Sequence, residues 1–150
     1  MKPLKISALA ATLSLVALPA FADFETRHSD DDVATVMDRL VAAVEAAGAT
    51  VFARVDHAEG ARSVGMHIPE AQVLIFGNPE LGTSVMQDDI QAGLFLPMRV
   101  LVHDDPDGGT TIVWPEAEEM FDDTGVDDDL PVIEEIEDAL DRLTRAAADD

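Results

Sequence analysis

The chain has no cysteine and few basic residues, and these two absences limit what it can be. Without cysteine it has no disulfide, no thiolate metal ligand and no cysteine nucleophile, so its core must hold by packing alone. Only nine lysines and arginines stand against 31 aspartates and glutamates, which gives a formal net charge of −22. A body this acidic repels nucleic acid and anionic membrane surfaces, so we expect no nucleic-acid partner. The acidity is typical of a highly soluble protein, and the alternative is attraction of cations or basic partners.

The first 22 residues have the pattern of a secretory signal peptide. Lys2 and Lys5 precede an apolar run from Ile6 to Leu18, and Ala-Phe-Ala at 20–22 matches the small-x-small cleavage pattern. The run of about 13 residues is shorter than the ~20 that a membrane-spanning helix needs. The sequence therefore predicts cleavage after Ala22, export by the general secretion route, a periplasmic or secreted location, and no membrane attachment after cleavage.

The part from residue 23 to 150 has the length of a single domain. It keeps all 31 acidic residues, while both lysines of the chain lie in the predicted signal, so its basic residues are all arginine. Removing residues 1–22 leaves 128 residues, which is enough for one substantial core. We see no internal repeat and no composition shift that would mark a second domain.

Two amphipathic helices are predicted from apolar residues at helical spacing. Ser29 is the expected N-cap of the first, and Gly48 is expected to follow its C-terminus. Pro131 suits the first turn of the second helix, and we expect residues 146–150 at its end to fray. The apolar stripes of the two helices are Val33, Val36, Met37, Leu40 and Val44, and Val132, Ile133, Ile136, Leu140 and Leu143.

Five short β-branched or apolar runs are predicted to be strands, at residues 24–28, 50–55, 71–76, 98–102 and 110–114. Shorter helices are expected near 58–65 and 81–91, and residues 115–129 are expected to be acidic and irregular. The order is β-α-β-(α)-β-(α)-β-β-α. The predicted fold class is therefore α+β, with an antiparallel sheet of four to five strands and two long helices packed on one face.

Three segments resemble a known family. They are Val55-Asp56-His57 with Ala61, Leu74 to Pro79 with Gly82 and Met86, and Leu96 to Val102. In this order they resemble the family called domain of unknown function 302, over about residues 24–115. The resemblance implies an α+β domain with a β-α-β-β-β-β-α core and a homodimer, and it implies no activity.

Two polar turn segments are the candidate binding residues. Asp56-His57 follows a predicted strand, where His57 is a candidate general base, metal ligand or pH-sensitive group. Gly77-Asn78 precedes Pro79, and its amides could hold a small polar ligand. Met86 follows on the predicted helix. The alternatives are structural: the histidine ties a strand end to a loop, and the asparagine caps its own turn.

Metal binding is weakly indicated. His57, His67, Met66 and Met86 suit copper by ligand type, but they form no dense cluster and methionine usually fills cores. The aspartates at 104–107 and 122–129 do not match the spacing of a calcium-binding EF-hand loop. Neither a metal nor another cofactor is assigned.

Three hypotheses for function follow. The first is a non-catalytic periplasmic module that binds a small ligand or metal ion, or serves as an accessory, with the two polar turn segments brought together at one edge of the sheet. The second is an enzyme of unfamiliar type with His57 as acid or base, although no nucleophile elbow, phosphate-binding loop or HExxH motif is present. The third is an acidic protein-interaction module.

Overall fold

The computed structural model describes residues 24–149, and the predicted signal peptide lies outside this range. The predicted order of strands and helices is confirmed. The strands are β1 (Phe24–Ser29), β2 (Thr50–Asp56), β3 (Ala71–Gly77), β4 (Met98–Asp104) and β5 (Thr110–Pro115). The α-helices are α1 (Val33–Ala46), α2 (His57–Ser63), α3 (Pro79–Asp88) and α4 (Pro131–Ala148). Short 3₁₀ turns span Ile90–Leu94 and Glu119–Phe121.

The five strands form one antiparallel sheet in the order β1-β5-β4-β3-β2. Thr110 to Pro115 returns beside β4 through a hairpin, and Phe24 of β1 pairs with Pro115 at the far edge. At the other edge, Thr50 of β2 pairs with Gly77 of β3. The topology confirms the predicted α+β class.

The helices α1 and α4 pack side by side on one face of the sheet and enclose the core. Alternate strand residues point into this core, and Leu74, Val100 and Ile112 are fully buried there. Every residue of the two predicted apolar stripes is buried, since each stripe meets the sheet or the other helix. Gly48 follows α1 with φ +76°, as predicted.

The opposite face of the sheet is left open. Val73, Leu101 and Val113 lie in register across three strands and are only partly buried, while Val55 beside them is 38% exposed. Within the described strands, the residues that share this outward side include no aspartate or glutamate. Arg99 is the charged exception, and it makes no hydrogen bond or ion pair to another described residue.

The prediction that Ser29 caps α1 is wrong. Ser29 is the last residue of β1, is buried, and donates its hydroxyl to the carbonyl of Ala148 at 3.1 Å. Asp32 is the actual cap, because its carboxylate accepts from the backbone N–H of Thr35 at 2.9 Å. Because β1 continues through Ser29, the helix begins three residues later than predicted, and Asp32 takes the capping position.

The C-terminal end of α4 does not fray where the sequence predicted it. Helix α4 continues to Ala148, and Ala147 is fully buried. The hydroxyl of Ser29 holds the Ala148 carbonyl against β1. A long-range contact therefore orders the end that local sequence suggested would be loose.

The acidic segment between β5 and α4 is irregular but well packed. Ala117, Phe121 and Val126 are buried in it, and the rings of Phe95 and Phe121 meet edge to face with centroids 6.2 Å apart. Asp89 accepts the backbone N–H groups of Gln91 at 2.9 Å and of Gly125 at 2.6 Å, and these two bonds, the first more than the second, hold the pKa of Asp89 below its usual value. The segment is thus anchored to the rest of the fold.

Candidate ligand-binding cleft

A cleft with a volume of about 680 Å³ opens between α3, α4 and the adjoining ends of β3 and β4. We call it the α3–α4 cleft. This volume is in the range of small-molecule sites, ~300–1,000 Å³. Its lining residues are Ala47, Ala49, Phe52, Phe76, Gly77, Asn78, Pro79, Leu81, Gly82, Thr83, Met86, Gly93, Leu96, Pro97, Met98, Glu135, Ile136, Asp138, Ala139, Leu140, Arg142 and Leu143.

One wall of the cleft is formed by the joint between β3 and α3. Gly77 is the last residue of the strand, and Pro79 is the first of the helix. Between them, the side-chain oxygen of Asn78 accepts the backbone N–H of Glu80 at 2.8 Å and caps α3. The Asn-Pro pair therefore sets where the helix begins and turns its first residues toward the cleft.

Three glycines keep the cleft open. Gly77, Gly82 and Gly93 all line it, and none has a positive φ, so the backbone does not require glycine there. A Cβ at Gly82 would lie 3.6 Å from Cδ1 of Leu96, and one at Gly93 would lie 3.2 Å from Sδ of Met86. Both neighbours line the cleft, so a side chain at either glycine would take up its space.

The interior of the cleft is apolar. Phe76, Met98 and Leu140 are buried at its floor, where they also belong to the main core. Phe52 contributes a ring that is 58% exposed, because it stands at a bulge in β2 between Val51 and Ala53. The cleft therefore offers apolar surface that is continuous with the core but open to solvent.

The charged side chains in the lining all come from α4. Glu135, Asp138 and Arg142 are exposed and sit on this helix at helical spacing. Nη1 of Arg142 lies 3.8 Å from Oδ2 of Asp138, which makes an exposed ion pair. The sum of these three charges is negative.

The structure brings together three of the five predicted binding residues. Gly77, Asn78 and Met86 line the α3–α4 cleft. Asp56 and His57 lie outside the cleft. Strands β2 and β3 run antiparallel, and Asp56 pairs with Gln72, at the opposite end of β3 from Gly77. With ~3.3 Å per strand residue, the two segments are separated by roughly 15–20 Å. The two polar turn segments therefore do not meet at one edge of the sheet.

Asp56 and His57 have local roles at the start of α2. The carboxylate of Asp56 accepts the backbone N–H of Glu59 at 2.7 Å and caps the helix. His57 is the first residue of α2, is exposed, and lines neither this cleft nor the shallower groove on the outer face of the sheet. Neither of these two cavities supports an acid–base role for His57, which stays a hypothesis.

The described residues contain no group of three or more His, Asp or Glu side chains placed to hold a metal ion. In the aspartate-rich segments, carboxylates instead accept backbone N–H groups. Asp105 accepts from Asp107 at 2.9 Å, and Asp127 accepts from Asp129 at 3.1 Å. Calcium therefore has no carboxylate site among these residues, and copper, whose candidate ligands include Met66 and Met86, stays a hypothesis.

Sequence reasoning missed the contribution of α4 to the cleft. The charged residues of α4 were interpreted as a solvent-exposed helix face, which is the ordinary interpretation of charges at helical spacing. Ala139, a small residue on the boundary between the buried and exposed sides, was a signal that something approaches the helix there. Only the packing of α4 beside α3 shows what that neighbour is.

Comparison with known proteins adds a family and a fold. The family model described as "Domain of unknown function DUF302" matches residues 25–148. A crystal structure of an uncharacterized conserved DUF302 protein from Bacillus stearothermophilus superposes with a TM-score of 0.67 and 19% sequence identity. The superposition covers 83% of this chain and 94% of that one. At this identity the likeness shows the fold alone.

Two curated relatives come from Brucella. Fluoride-specific ion channel FluC 1 of Brucella suis biovar 1 (strain 1330) is 44% identical over 84 residues, which are 56% of this chain and 32% of that protein. FluC 1 of Brucella abortus biovar 1 (strain 9-941) is 44% identical over 84 residues, which are 30% of its length. The match therefore spans about a third of each relative. No helix in the part of this chain that the structure describes is long and apolar enough to cross a membrane.

Proposed function

The chain belongs to the DUF302 family, whose description assigns no function, and from that premise we propose that it is a non-catalytic small-ligand-binding protein whose ligand lies in the α3–α4 cleft. The cleft collects Gly77, Asn78 and Met86, three residues that the sequence had marked as a binding segment. Its volume suits a small molecule, and its apolar floor supplies the binding free energy.

The observation that carries this proposal is the glycine at position 82. Glycine inside a helix costs about 1 kcal/mol relative to alanine, because it loses more backbone freedom on folding. Gly82 lies within α3, has no positive φ, and lines the cleft beside Leu96. A residue that destabilises its helix without a conformational need supports a role in keeping space for a ligand.

A neutral fluorescent probe tests the cleft directly. The probe is N-phenyl-1-naphthylamine, which emits strongly in apolar surroundings, titrated into the purified chain. We expect saturable binding of one probe per chain. Ala139→Leu places a larger side chain in the lining and should weaken binding at least about fivefold, since overfilling a packed site costs ~1–3 kcal/mol.

The matched control is Ala146→Leu, which makes the same change on the same helix at an exposed residue outside the cleft. It should bind the probe as the unchanged chain does. If Ala139→Leu and Ala146→Leu bind equally well, the probe lies elsewhere and the cleft is not the site. Circular dichroism of both variants verifies that α4 is retained.

Export is part of the proposal. It is supported by the charged start, apolar run and Ala-Phe-Ala pattern of residues 1–22. The intact mass of the protein from a periplasmic extract measures it: we expect a chain that begins at Asp23. A mass that includes the first 22 residues would contradict cleavage. A native mass spectrum of the same extract measures whether the chain forms the homodimer that the family resemblance implies.

A second candidate function is an accessory role beside a fluoride channel. It is supported by the 44% identity to proteins of that name, although the match covers only about a third of the length of each of them. A strain that lacks this chain should then stop growing at a lower fluoride concentration than its parent. Unchanged fluoride tolerance, with chloride as the control salt, would remove this candidate and leave the ligand-binding proposal untouched.

A further inference from the structure

We propose that the ligand of the α3–α4 cleft is an apolar molecule that carries one positively charged group, with the charge held at the rim beside Glu135. This inference rests on the proposed function, since it names the ligand class of the same site. It follows from three features of the cleft: the unpaired acid at its rim, the charge of the whole chain, and the exposed ring at its mouth.

The first feature is the charge at the rim. Of the charged lining residues, Asp138 and Arg142 are neighbours at 3.8 Å and largely offset one another. Glu135 makes no hydrogen bond or ion pair to another residue in the described part of the chain. Its carboxylate is therefore free to meet a cation, while a ligand anion would have to compete with Asp138 for Arg142.

The second feature is the field of the chain as a whole. A formal net charge of −22 attracts cations and repels anions over a distance set by the salt concentration. Glu80 in the first turn of α3 is exposed and follows Pro79, which lines the cleft. An apolar carboxylate is thus disfavoured on approach as well as at the rim.

The third feature is Phe52. Its ring lines the cleft and is 58% exposed, so its face is accessible to a ligand. An ammonium group over an aromatic ring is attracted to the negative face of the ring. Apolar residues such as Met98 and Leu143 take the uncharged part of the ligand deeper in. The cleft therefore has a surface for the apolar body of the ligand and a surface for its cationic group.

Three probes with the same ten-carbon chain test the inference: decylamine, decanol and decanoate, each used below its micelle concentration to displace N-phenyl-1-naphthylamine. At low salt we expect decylamine to bind about fivefold more tightly than decanol, as for one exposed ion pair, and decanoate to bind most weakly. In 0.5 M sodium chloride the preference for the amine should shrink toward unity.

Glu135→Gln is the test variant and Glu134→Gln the matched control. Both remove one negative charge from neighbouring exposed positions of α4, but only Glu135 lines the cleft. Glu135→Gln should lower the amine-to-alcohol ratio to about twofold or less, and Glu134→Gln should leave it near the unchanged value. Equal effects of the two variants would show that only the overall charge acts, and would overturn a site at Glu135.

The outcomes separate this inference from the proposed function. If decanol binds as tightly as decylamine, and Ala139→Leu blocks both, the cleft binds ligands but the ligand class is wrong. If decanoate binds best, the charge assignment is reversed. If none of the three probes binds in a way that Ala139→Leu weakens, the proposed function fails and this inference fails with it.

Discussion

Replacing Gly82 by alanine should raise stability and lower ligand binding together. Gly82 is the fourth residue of the ten-residue helix α3, so alanine should gain about 0.5–1 kcal/mol of helix propensity. The added Cβ would lie 3.6 Å from Cδ1 of Leu96, an ordinary van der Waals distance, so no strain offsets the gain. For a domain of this size the midpoint of thermal unfolding should rise by about 2–4 °C.

The same methyl group would add to the cleft lining beside Leu96. We therefore expect N-phenyl-1-naphthylamine to bind at least about fivefold more weakly to Gly82→Ala, from the ~1–3 kcal/mol cost of an added group in a filled site. Urea denaturation measures the stability change, and fluorescence titration measures the affinity. Opposite signs in the two measurements identify a residue that is kept for space rather than for stability.

Gly60→Ala is the control. Gly60 also lies within a helix, α2, and a Cβ there would have nothing within 4 Å. It should gain a similar amount of stability and leave probe binding unchanged. The reasoning is refuted if Gly82→Ala binds the probe as well as the unchanged chain does. It is also refuted if Gly82→Ala loses stability while Gly60→Ala gains it, because the space at Gly82 would then not be open.

Two further predictions concern stability alone. Gly109 has φ +77° and its Cβ would clash with the carbonyl oxygen of Ser29, whereas Gly48 has φ +76° and open space around it. By urea denaturation Gly48→Ala should cost about 1–2 kcal/mol of unfolding free energy, and Gly109→Ala a further ~1–3 kcal/mol. Equal losses in the two variants would contradict the close approach at Gly109. Arg27 donates to Asp141 at 2.8 Å, and this bond, followed by that from Arg145, lowers the pKa of Asp141. Because the folded pKa is below the unfolded one, this contribution is present above the unfolded pKa and is lost as the pH falls through the folded pKa. Asp141→Asn should therefore lose stability near neutral pH relative to the unchanged chain, with the difference vanishing in acid; a difference that persists at the lowest pH would contradict the linkage.

Much of the fold followed from local patterns. The apolar residues from Val33 to Val44 recur at helical spacing, which predicts a helix with one buried face. In the structure this segment is a helix and that face is buried. The turn chemistry of Gly77-Asn78-Pro79 predicted the end of β3, because the asparagine oxygen and the proline ring act on adjacent backbone. The structure adds that Asn78 caps α3, which begins at Pro79, two residues before the predicted start. Such features depend on residues within one or two turns of each other.

The errors came from residues whose partners are distant along the chain. Ser29 was predicted at a helix start because a serine hydroxyl commonly caps a helix there. Its hydroxyl instead donates a hydrogen bond to Ala148, at the other end of the sequence. The segment around Phe121 was correctly predicted to be irregular, but the packing of the Phe121 ring against Phe95 was not predicted. Local composition does not contain these contacts.

The sequence by itself determined the elements, their order and the α+β class, because periodicity, capping and turn residues act over a few neighbours at a time. It also determined the charge of the chain and marked Gly77, Asn78 and Met86. The tertiary structure alone decided that these three share a cleft with α4, and that Asp56 and His57 lie at the far end of the sheet. The physical reason is that antiparallel pairing places the ends of neighbouring strands by register, and helix packing brings Glu135 into one cleft lining with Phe52 and Gly82 only once the core has formed.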